Sequence, residues 1–412
     1  MDGFLSAQRV NWPQLHVAEI GSKPRRWMAH SAHETLAVPH RCHRPWAMPR
    51  QEFKVIPSVS SSARGDRDRV VLDGSQGEGG GQILRTALTL SLLTGRPFRM
   101  VKIRANRDKP GLRPQHQKAV EAAAALGAAK VTGSAVGSRE LMFTPVPWSP
   151  RDLVIDIGTA GSTSLVLQTL HLPLALRSEN PARLVLTGGT FNPKAPAFSF
   201  LDATWRAYLK AFGLPLTLNM STAGFYPRGG GEIEALIDPA VPRAYTCTDR
   251  GPLRRLTGVA GVANLGDDIA RRMRDRAIER LQDQGFAAEI DLVRWPSPGQ
   301  GAALALTVEH DGTIPATFVG LGERGKPSEA VADDAVAELL AFEAVENAVV
   351  DPHSADQILL PLAFGPGRSE FTVSATTEHF RTNVATIRAF LDRSITIEEP
   401  ENGNRPGRVV IE

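Results

Sequence analysis

The chain has 412 residues, of which 42% are hydrophobic and 22% charged, enough for two domains with separate cores in a globular protein. No apolar run reaches the length of a membrane span, and the N-terminus lacks the apolar core of an export signal. Cys42 and Cys247 form no metal-ligand spacing, so a reducing cytoplasm is the expected location.

The formal charge of +3 is unevenly placed: residues 1–69 carry 11 Lys/Arg against 6 Asp/Glu, and the remainder 36 against 38. The basic surplus therefore belongs to the N-terminal tail, and bulk charge does not by itself argue for nucleic-acid binding. Residues 1–68 hold five of the ten histidines and three tryptophans without a sustained helix or strand period. They are expected to be a disordered extension, or a reading frame begun upstream of its true start. The tract His40-Arg41-Cys42-His43 has metal-binding residue types, although such short tracts are usually accidents of composition.

From residue 69 the pattern alternates. A strand at 69–73 leads to a helix at about 81–94 ending at Gly95, then a strand at 97–105 and a helix at about 114–126 ending at Gly127. Pro114 suits the first turn of that helix. Strands follow near 130–135 and 139–144. A second cycle runs from a strand at 153–157 through a helix at about 162–177, a strand at 183–188 and a helix at about 198–213. Strands near 215–221 and 231–237 complete it.

Past residue 250 the echo breaks into strands at 254–262, 287–295, 302–309 and 316–321, with helices at about 267–284 and 328–349. Third-cycle elements then resume with helices around 352–363 and 381–392 and strands at 369–375 and 407–411. The expected fold is α/β (α+β): three β-α-β-α-β-β repeats over 69–249 and 350–412, with a smaller α/β domain at 250–349 inserted in the third.

The most informative segment is Asp73-Gly74-Ser75-Gln76-Gly77-Glu78-Gly79-Gly80-Gly81-Gln82-Ile83-Leu84-Arg85. It joins an apolar strand to a helix N-terminus, and its glycines, Gly79 and Gly80 among them, expose backbone N–H groups suited to a phosphate chain. A carboxylate such as Glu78 repels bare phosphate but fits where a divalent cation stands between them, which points to a nucleoside triphosphate with Mg²⁺. Arg85, in the helix behind, adds a cation. The same composition also suits a plain tight turn, and neither P-loop nor Rossmann spacing is met.

Arg99 to Lys118 contains seven Lys/Arg and one acid, Asp108. Its prolines and Gly111 make a loop in which Arg104 and Arg107 suit phosphate oxygens. That loop delivers Gln115 and His116 to a helix N-terminus; a solvated basic loop is the plainer alternative. Gly158 to Thr163 is a second small-residue turn, with Gln168 on the helix behind it, and reads as an N-cap.

Near the C-terminus, Asp356-Gln357 and His379 are the chemistry-bearing residues. An imidazole is largely neutral at pH 7 and offers a free nucleophilic nitrogen, and a carboxylate such as Asp356 can orient it or stabilise a charged adduct. A histidine at a strand-to-helix junction can equally be a cap or a packed core residue.

The order of these segments resembles the RNA 3'-terminal phosphate cyclase family over residues 69–411. The matching motifs are D-G-x-x-G-E-G-G-G-Q-x-x-R at 73–85, R-A-x-R-x-K-P-G-L-x-x-Q-H at 104–116, the small-residue turn with Gln168, and H-x-x-T at His379. His353 is a departure, since some members carry Tyr there. The segments at Gly188–Pro193 and Gly224–Glu232 are also family-like, the latter read as structural.

The resemblance implies that His379 attacks the α-phosphate of ATP, that AMP passes to an RNA 3'-phosphate, and that the 2'-hydroxyl then closes a 2',3'-cyclic phosphate. It implies ATP as substrate with Mg²⁺ or Mn²⁺ at Glu78. Arg85, Arg104 and Arg107 would bind phosphates, and Gln115 and His116 would position them. Gln168, Asp356 and Gln357 would support the nucleotide site. RNA with a 3'-phosphate end is the expected partner and no membrane is; the oligomeric state is left open, with a homodimer one option. Two alternatives stand beside this: a catalytically silent relative acting by binding in ribosome or RNA processing, and an unrelated transferase on a similar repeated scaffold, such as the enolpyruvyl transferases.

Overall fold

Alternating residues make Val70–Asp73 the first strand, β1, with Val70 and Leu72 buried, and the helix Gln82–Thr94, α1, follows it. A computed structural model describes residues 69–77, 80–400 and 405–412. Residues 1–68, with the His40–His43 tract, and Glu78 and Gly79 of the glycine loop lie outside the described residues. α1 stops where expected, at Gly95, whose φ of 71° closes the helix and whose N–H donates to the carbonyl of Ser91.

The first unit continues through β2 (Phe98–Val101), α2 (Pro114–Gly127), β3 (Lys130–Thr132) and β4 (Leu141–Thr144). β2 is shorter than the expected 97–105 because Lys102 and Arg104 take left-handed conformations, at φ of 52° and 53°. The strand therefore ends in a turn, and the arginine-rich loop bonds the start of the glycine loop, the Arg104 N–H donating to the carbonyl of Gly74 at 3.2 Å and Nδ2 of Asn106 to that of Ser75 at 2.8 Å. α2 ends one residue later than expected, with Ala128 rather than Gly127 left-handed. Gly127 serves packing instead: a Cβ there would lie 2.2 Å from Cδ2 of Leu92 on α1.

The second unit comprises β5 (Leu153–Asp156), α3 (Thr163–Arg177), β6 (Ala182–Gly188), α4 (Phe198–Phe200), α5 (Arg206–Ala211), β7 (Leu216–Thr222) and β8 (Gly231–Ile237). The single helix expected at 198–213 is interrupted by a π-helical turn, Leu201–Trp205. Within that turn the buried Thr204 hydroxyl donates to Oγ1 of Thr317 at 2.9 Å.

The remaining elements are β9 (Thr246–Cys247), β10 (Leu253–Ala263), α6 (Asp267–Gln282), β11 (Glu289–Arg294), β12 (Gly301–His310), β13 (Ala316–Leu321) and α7 (Ser328–Glu343). They are followed by α8 (Pro352–Ala363), β14 (Ser369–Val373), α9 (Glu378–Phe390), β15 (Ile395–Glu398) and β16 (Gly407–Ile411). α7 ends at Glu343 rather than near 349 because Arg250 caps it, its guanidinium donating to the carbonyls of Phe342, Glu343 and Val345 at 3.3, 3.2 and 3.0 Å. α9 starts three residues before the expected 381, since the Thr377 hydroxyl caps it by accepting the N–H of Phe380 at 3.1 Å.

The fold is mixed α/β, with four four-stranded sheets each containing one parallel and two antiparallel pairings. Three sheets share one order and sense, β1-β2-β4-β3, β5-β6-β8-β7 and β9-β14-β16-β15, with the first pair parallel in each. In the third, β9 precedes and β14 follows the sheet β11-β10-β12-β13 in sequence.

One apolar cluster unites the three similar sheets and their helices, and a second lies between β10–β13 and α6 and α7. A third, smaller cluster holds Phe191 and Phe225, whose rings stack at 5.0 Å between centroids, with Trp295 tilted against Phe191 at 4.8 Å. Among the described residues no helix is long and apolar enough to cross a membrane.

Candidate active site

α1, α2, α3, α8 and α9 converge on a cavity of about 850 Å³ whose far wall is completed by Thr317, Val319 and Leu321 of β13. Every candidate residue named from the sequence that falls among the described residues lines it. These are Gly80 and Arg85, Arg104 and Arg107, Gln115 and His116, Gln168, Asp356 and Gln357, and His379. Glu78 and Gly79 lie outside the described residues.

His379 occupies the first turn of α9 and faces the glycine loop. A Cβ on Gly80 would lie 4.0 Å from Cε1 of His379 and 3.5 Å from Nη2 of Arg107, so the bare backbone meets the imidazole and a guanidinium together. At the next residue a Cβ would lie 2.5 Å from Nε2 of His116 and 2.8 Å from Nη1 of Arg85. Only glycine fits at Gly81, because any side chain would displace both.

His116 is buried, and its Nδ1 accepts the backbone N–H of Arg113 at 3.2 Å. Burial first, and then Arg85, Arg104 and Arg113, hold its pKa down at about 3. The imidazole is therefore neutral at pH 7, with its proton on Nε2. Burial lowers Arg85 to about 10, opposed by Asp356, and the guanidinium stays charged. Arg104 is also lowered by burial and by its neighbours Arg107 and Arg113, the mark of a crowded cationic wall. One of its nitrogens bonds the carbonyls of Lys109 and Gly111 at 3.0 and 3.2 Å, which fixes the loop.

α8 adds a carboxyl beside the arginines. Asp356 is buried and its carboxyl is raised to about 7 by burial, an effect opposed by His353 and Arg85. Its Oδ1 has no hydrogen-bond partner. His353 is raised to about 9, chiefly by its 3.4 Å contact with Glu338 on α7. Gln168 on α3 donates through Nε2 to Oε1 of Gln357. Gln115 is exposed at the rim, and the turn at Gly161 packs against it, a Cβ there lying 3.3 Å from Cβ of Gln115. The Ser162 hydroxyl of that turn caps α3 by accepting the N–H of Leu165 at 3.3 Å.

Residues not singled out in the sequence also reach the cavity. Arg113 and Lys194 line it, and no hydrogen bond or ion pair of their side chains to a carboxylate is present among the described residues. Pro196, Phe200, Trp205 and Leu360 give it an apolar end. Gln82, Thr86 and Asn383 join α1 to α9 through a buried polar network. The spacing of Asn383, four residues after His379, was the available signal, since i and i+4 share a helix face. The Gly224–Glu232 segment does not line the cavity; Gly224 lies close to the main chain of Gly188 and Gly231.

A wall of arginines, the imidazole of His379 and an apolar end together make a site that can hold an anionic substrate with an apolar part. The sequence model of the RNA 3'-terminal phosphate cyclase family matches residues 76–397. Similar proteins named RNA 3'-terminal phosphate cyclase include one from Ralstonia nicotianae, 43% identical over 332 residues covering 80% of this chain and 93% of that protein. Another, from Koribacter versatilis, is 43% identical over 336 residues, covering 81% and 93%. A third, from Pyrobaculum neutrophilum, is 41% identical over 331 residues, covering 80% and 95%. The chain belongs to the RNA 3'-terminal phosphate cyclase family.

Proposed function

We propose that the protein converts an RNA 3'-terminal phosphate to a 2',3'-cyclic phosphodiester at the expense of ATP, through a covalent histidyl-AMP. The observation that carries this reading is the meeting of His379 with Gly80 and Arg107 at the glycine loop, in a cavity lined by Arg85 and Arg104.

In the first step a ring nitrogen of His379 forms a bond to the α-phosphorus, the bond to the bridging oxygen breaks, and diphosphate leaves with the electron pair. An oxygen of the RNA 3'-phosphate then attacks the same phosphorus and releases the imidazole, giving an RNA-adenylate. Finally the 2'-hydroxyl attacks the RNA phosphorus, its proton is lost to solvent, and AMP departs. Exchanging a poor leaving group for AMP splits one difficult displacement into easier ones.

Arg85, Arg104 and Arg107 hold phosphate oxygens as preorganised cations, and neutral His116 donates from Nε2 with Gln115 beside it. Gln168 and Gln357 brace the nucleoside, whose base suits the apolar end at Pro196, Phe200 and Trp205. Arg113 and Lys194, without carboxylate partners, are left for the phosphodiesters of the RNA strand.

Among the described residues no three His, Cys, Asp or Glu side chains cluster as a metal cage. A Mg²⁺ or Mn²⁺ ion would accordingly rest on Glu78 and on phosphate oxygens, the habit of Mg²⁺ at nucleotide sites. Bound there, it would neutralise charge on the triphosphate. We read residues 69–249 and 350–412 as a core of three repeats and 250–349 as a domain inserted in the third; the common strand order of three sheets and the two separate apolar clusters support this.

The test is an RNA oligonucleotide with a radiolabelled 3'-phosphate, incubated with the protein, ATP and Mg²⁺. Label that becomes resistant to phosphatase only with ATP is the expected result. Label that stays phosphatase-sensitive overturns the reading.

A further inference from the structure

We propose that Asn383 is a positioning residue for nucleotidyl transfer: its amide fastens the helix bearing His379 to the helix bearing Arg85. This rests on the reading of His379 as nucleophile.

Asn383 lies one turn beyond His379 on α9, a rise of about 6 Å on the same helix face. Its side chain is 2% exposed. Oδ1 accepts from Nε2 of Gln82 at 3.1 Å and from the Thr86 hydroxyl at 2.5 Å, both on α1. Nδ2 donates to the carbonyl of Asp356 on α8 at 2.7 Å. Gln82 in turn accepts from Nη2 of Arg85 at 2.6 Å through Oε1. An unbroken chain thus runs from the Arg85 guanidinium through Gln82 and Asn383 to the main chain at Asp356.

The identity of the side chain matters at each end. Both acceptor sites of the amide oxygen are used, and the amide nitrogen faces a carbonyl. Aspartate would keep the acceptor but set an oxygen against the carbonyl of Asp356. Alanine would leave the carbonyl of Asp356 and the Gln82 amide without this partner.

The location separates positioning from plain core stabilisation. Gln82, Arg85, Thr86, Asp356 and Asn383 all line the cavity that His379 lines. The network is therefore a wall of the site, and it spans the nucleophile's helix and a phosphate-binding cation. Displacing reacting groups by about 1 Å can cost roughly a hundredfold in rate, so a clamp between these two helices acts on the rate of attack more than on the affinity for ATP.

The experiment measures self-labelling of the full chain by α-³²P-ATP with Mg²⁺ and no RNA, in a single turnover. ATP affinity and the thermal midpoint are measured separately. For Asn383→Ala the expected result is a 30- to 100-fold slower labelling at saturating ATP, with Kd for ATP within threefold of wild type and one cooperative melting transition. Thr86→Val, which removes one donor from the α1 side, is expected to slow labelling 3- to 10-fold, and to add nothing in the Asn383→Ala background.

Labelling of folded Asn383→Ala within threefold of wild type overturns the proposal, as does a loss that appears wholly in Kd. If Asn383→Ala does not fold, Thr86→Val carries the test, and an unchanged rate there overturns it. Wild-type protein that takes no label removes the nucleophile reading itself, and the proposal falls with it; that outcome is distinct because it precedes any variant.

Discussion

The backbone N–H of Arg113 donates to Nδ1 of His116 at 3.2 Å, and this one bond decides which nitrogen of the imidazole faces the glycine loop with a proton. With its pKa held down at about 3, His116 remains a neutral donor over the whole working pH range. His116→Ala is expected to lower kcat/KM for RNA cyclisation 10- to 100-fold, the loss of one hydrogen bond to a charged group of about 1.5–3 kcal/mol. The pH–rate profile from pH 5 to 9 should keep its shape in that variant. A changed inflection would mean that His116 titrates during catalysis.

Arg85 is expected to resist conservative replacement. Its guanidinium bonds Gln82 through one nitrogen at 2.6 Å and lines the cavity with the rest, a division of labour that a point-charge ammonium cannot copy. Arg85→Lys should lose at least tenfold in kcat/KM, and Arg85→Ala about a hundredfold. Wild-type kinetics in Arg85→Lys would show that charge alone suffices.

The acid limb of stability has an assignable contributor beside Trp205 in the lining of the cavity. His171 is buried beside Trp205, ring centroids 5.2 Å apart, and burial lowers its pKa from 6.5 to about 3. Between those values the unfolded chain binds a proton that the folded chain does not, so stability falls as pH falls. One such group contributes a slope of about 1.4 kcal/mol per pH unit. Denaturant titrations from pH 6 to 4 should show a slope shallower by about that amount in His171→Leu. Equal slopes would indicate that the folded protein protonates His171 readily.

The elements that hold the site are legible in the sequence because each is an apolar run bounded by a visible signal, such as Gly95 at the end of α1 and Pro114 at the start of α2. A boundary is hidden where a distant residue sets it. Arg250 ends α7 from far away in the chain, and nothing between 328 and 349 reveals it. β9 is two residues long and exists through its pairing with β14, so no local period announces it; β15, at four residues, is nearly as faint. The end of β2 is hidden because left-handed lysine and arginine are rare, and Lys102 and Arg104 look like ordinary strand residues.

For the site, residue type carried the reading of His379, Arg85 and the arginine loop. Asn383, Lys194 and Trp205 escaped it because their significance lies in which helices and loops they bring together. Asp356 is an instructive middle case. It reaches the same cavity as His379, but the charges that act on its carboxyl are those of His353, Arg85 and Asp351.

The assignment of Arg113 and Lys194 to the RNA strand has a thermodynamic signature. Each phosphate neutralised on a single strand contributes about 0.7 to the slope of log affinity against log salt. Arg113→Ala and Lys194→Ala should each reduce that slope by about this amount for an oligonucleotide 3'-phosphate. A nucleoside 3'-monophosphate, which has no phosphodiester, should show no such change. Unchanged slopes for the oligonucleotide would remove both residues from the RNA path.

The most direct measurement is self-labelling of wild type and His379→Ala by α-³²P-ATP with Mg²⁺ in the absence of RNA. A protein-bound label that is acid-labile, alkali-stable and absent from folded His379→Ala is predicted. Folded wild-type protein that takes no label, or a His379→Ala variant that labels equally well, would contradict the covalent histidyl-AMP.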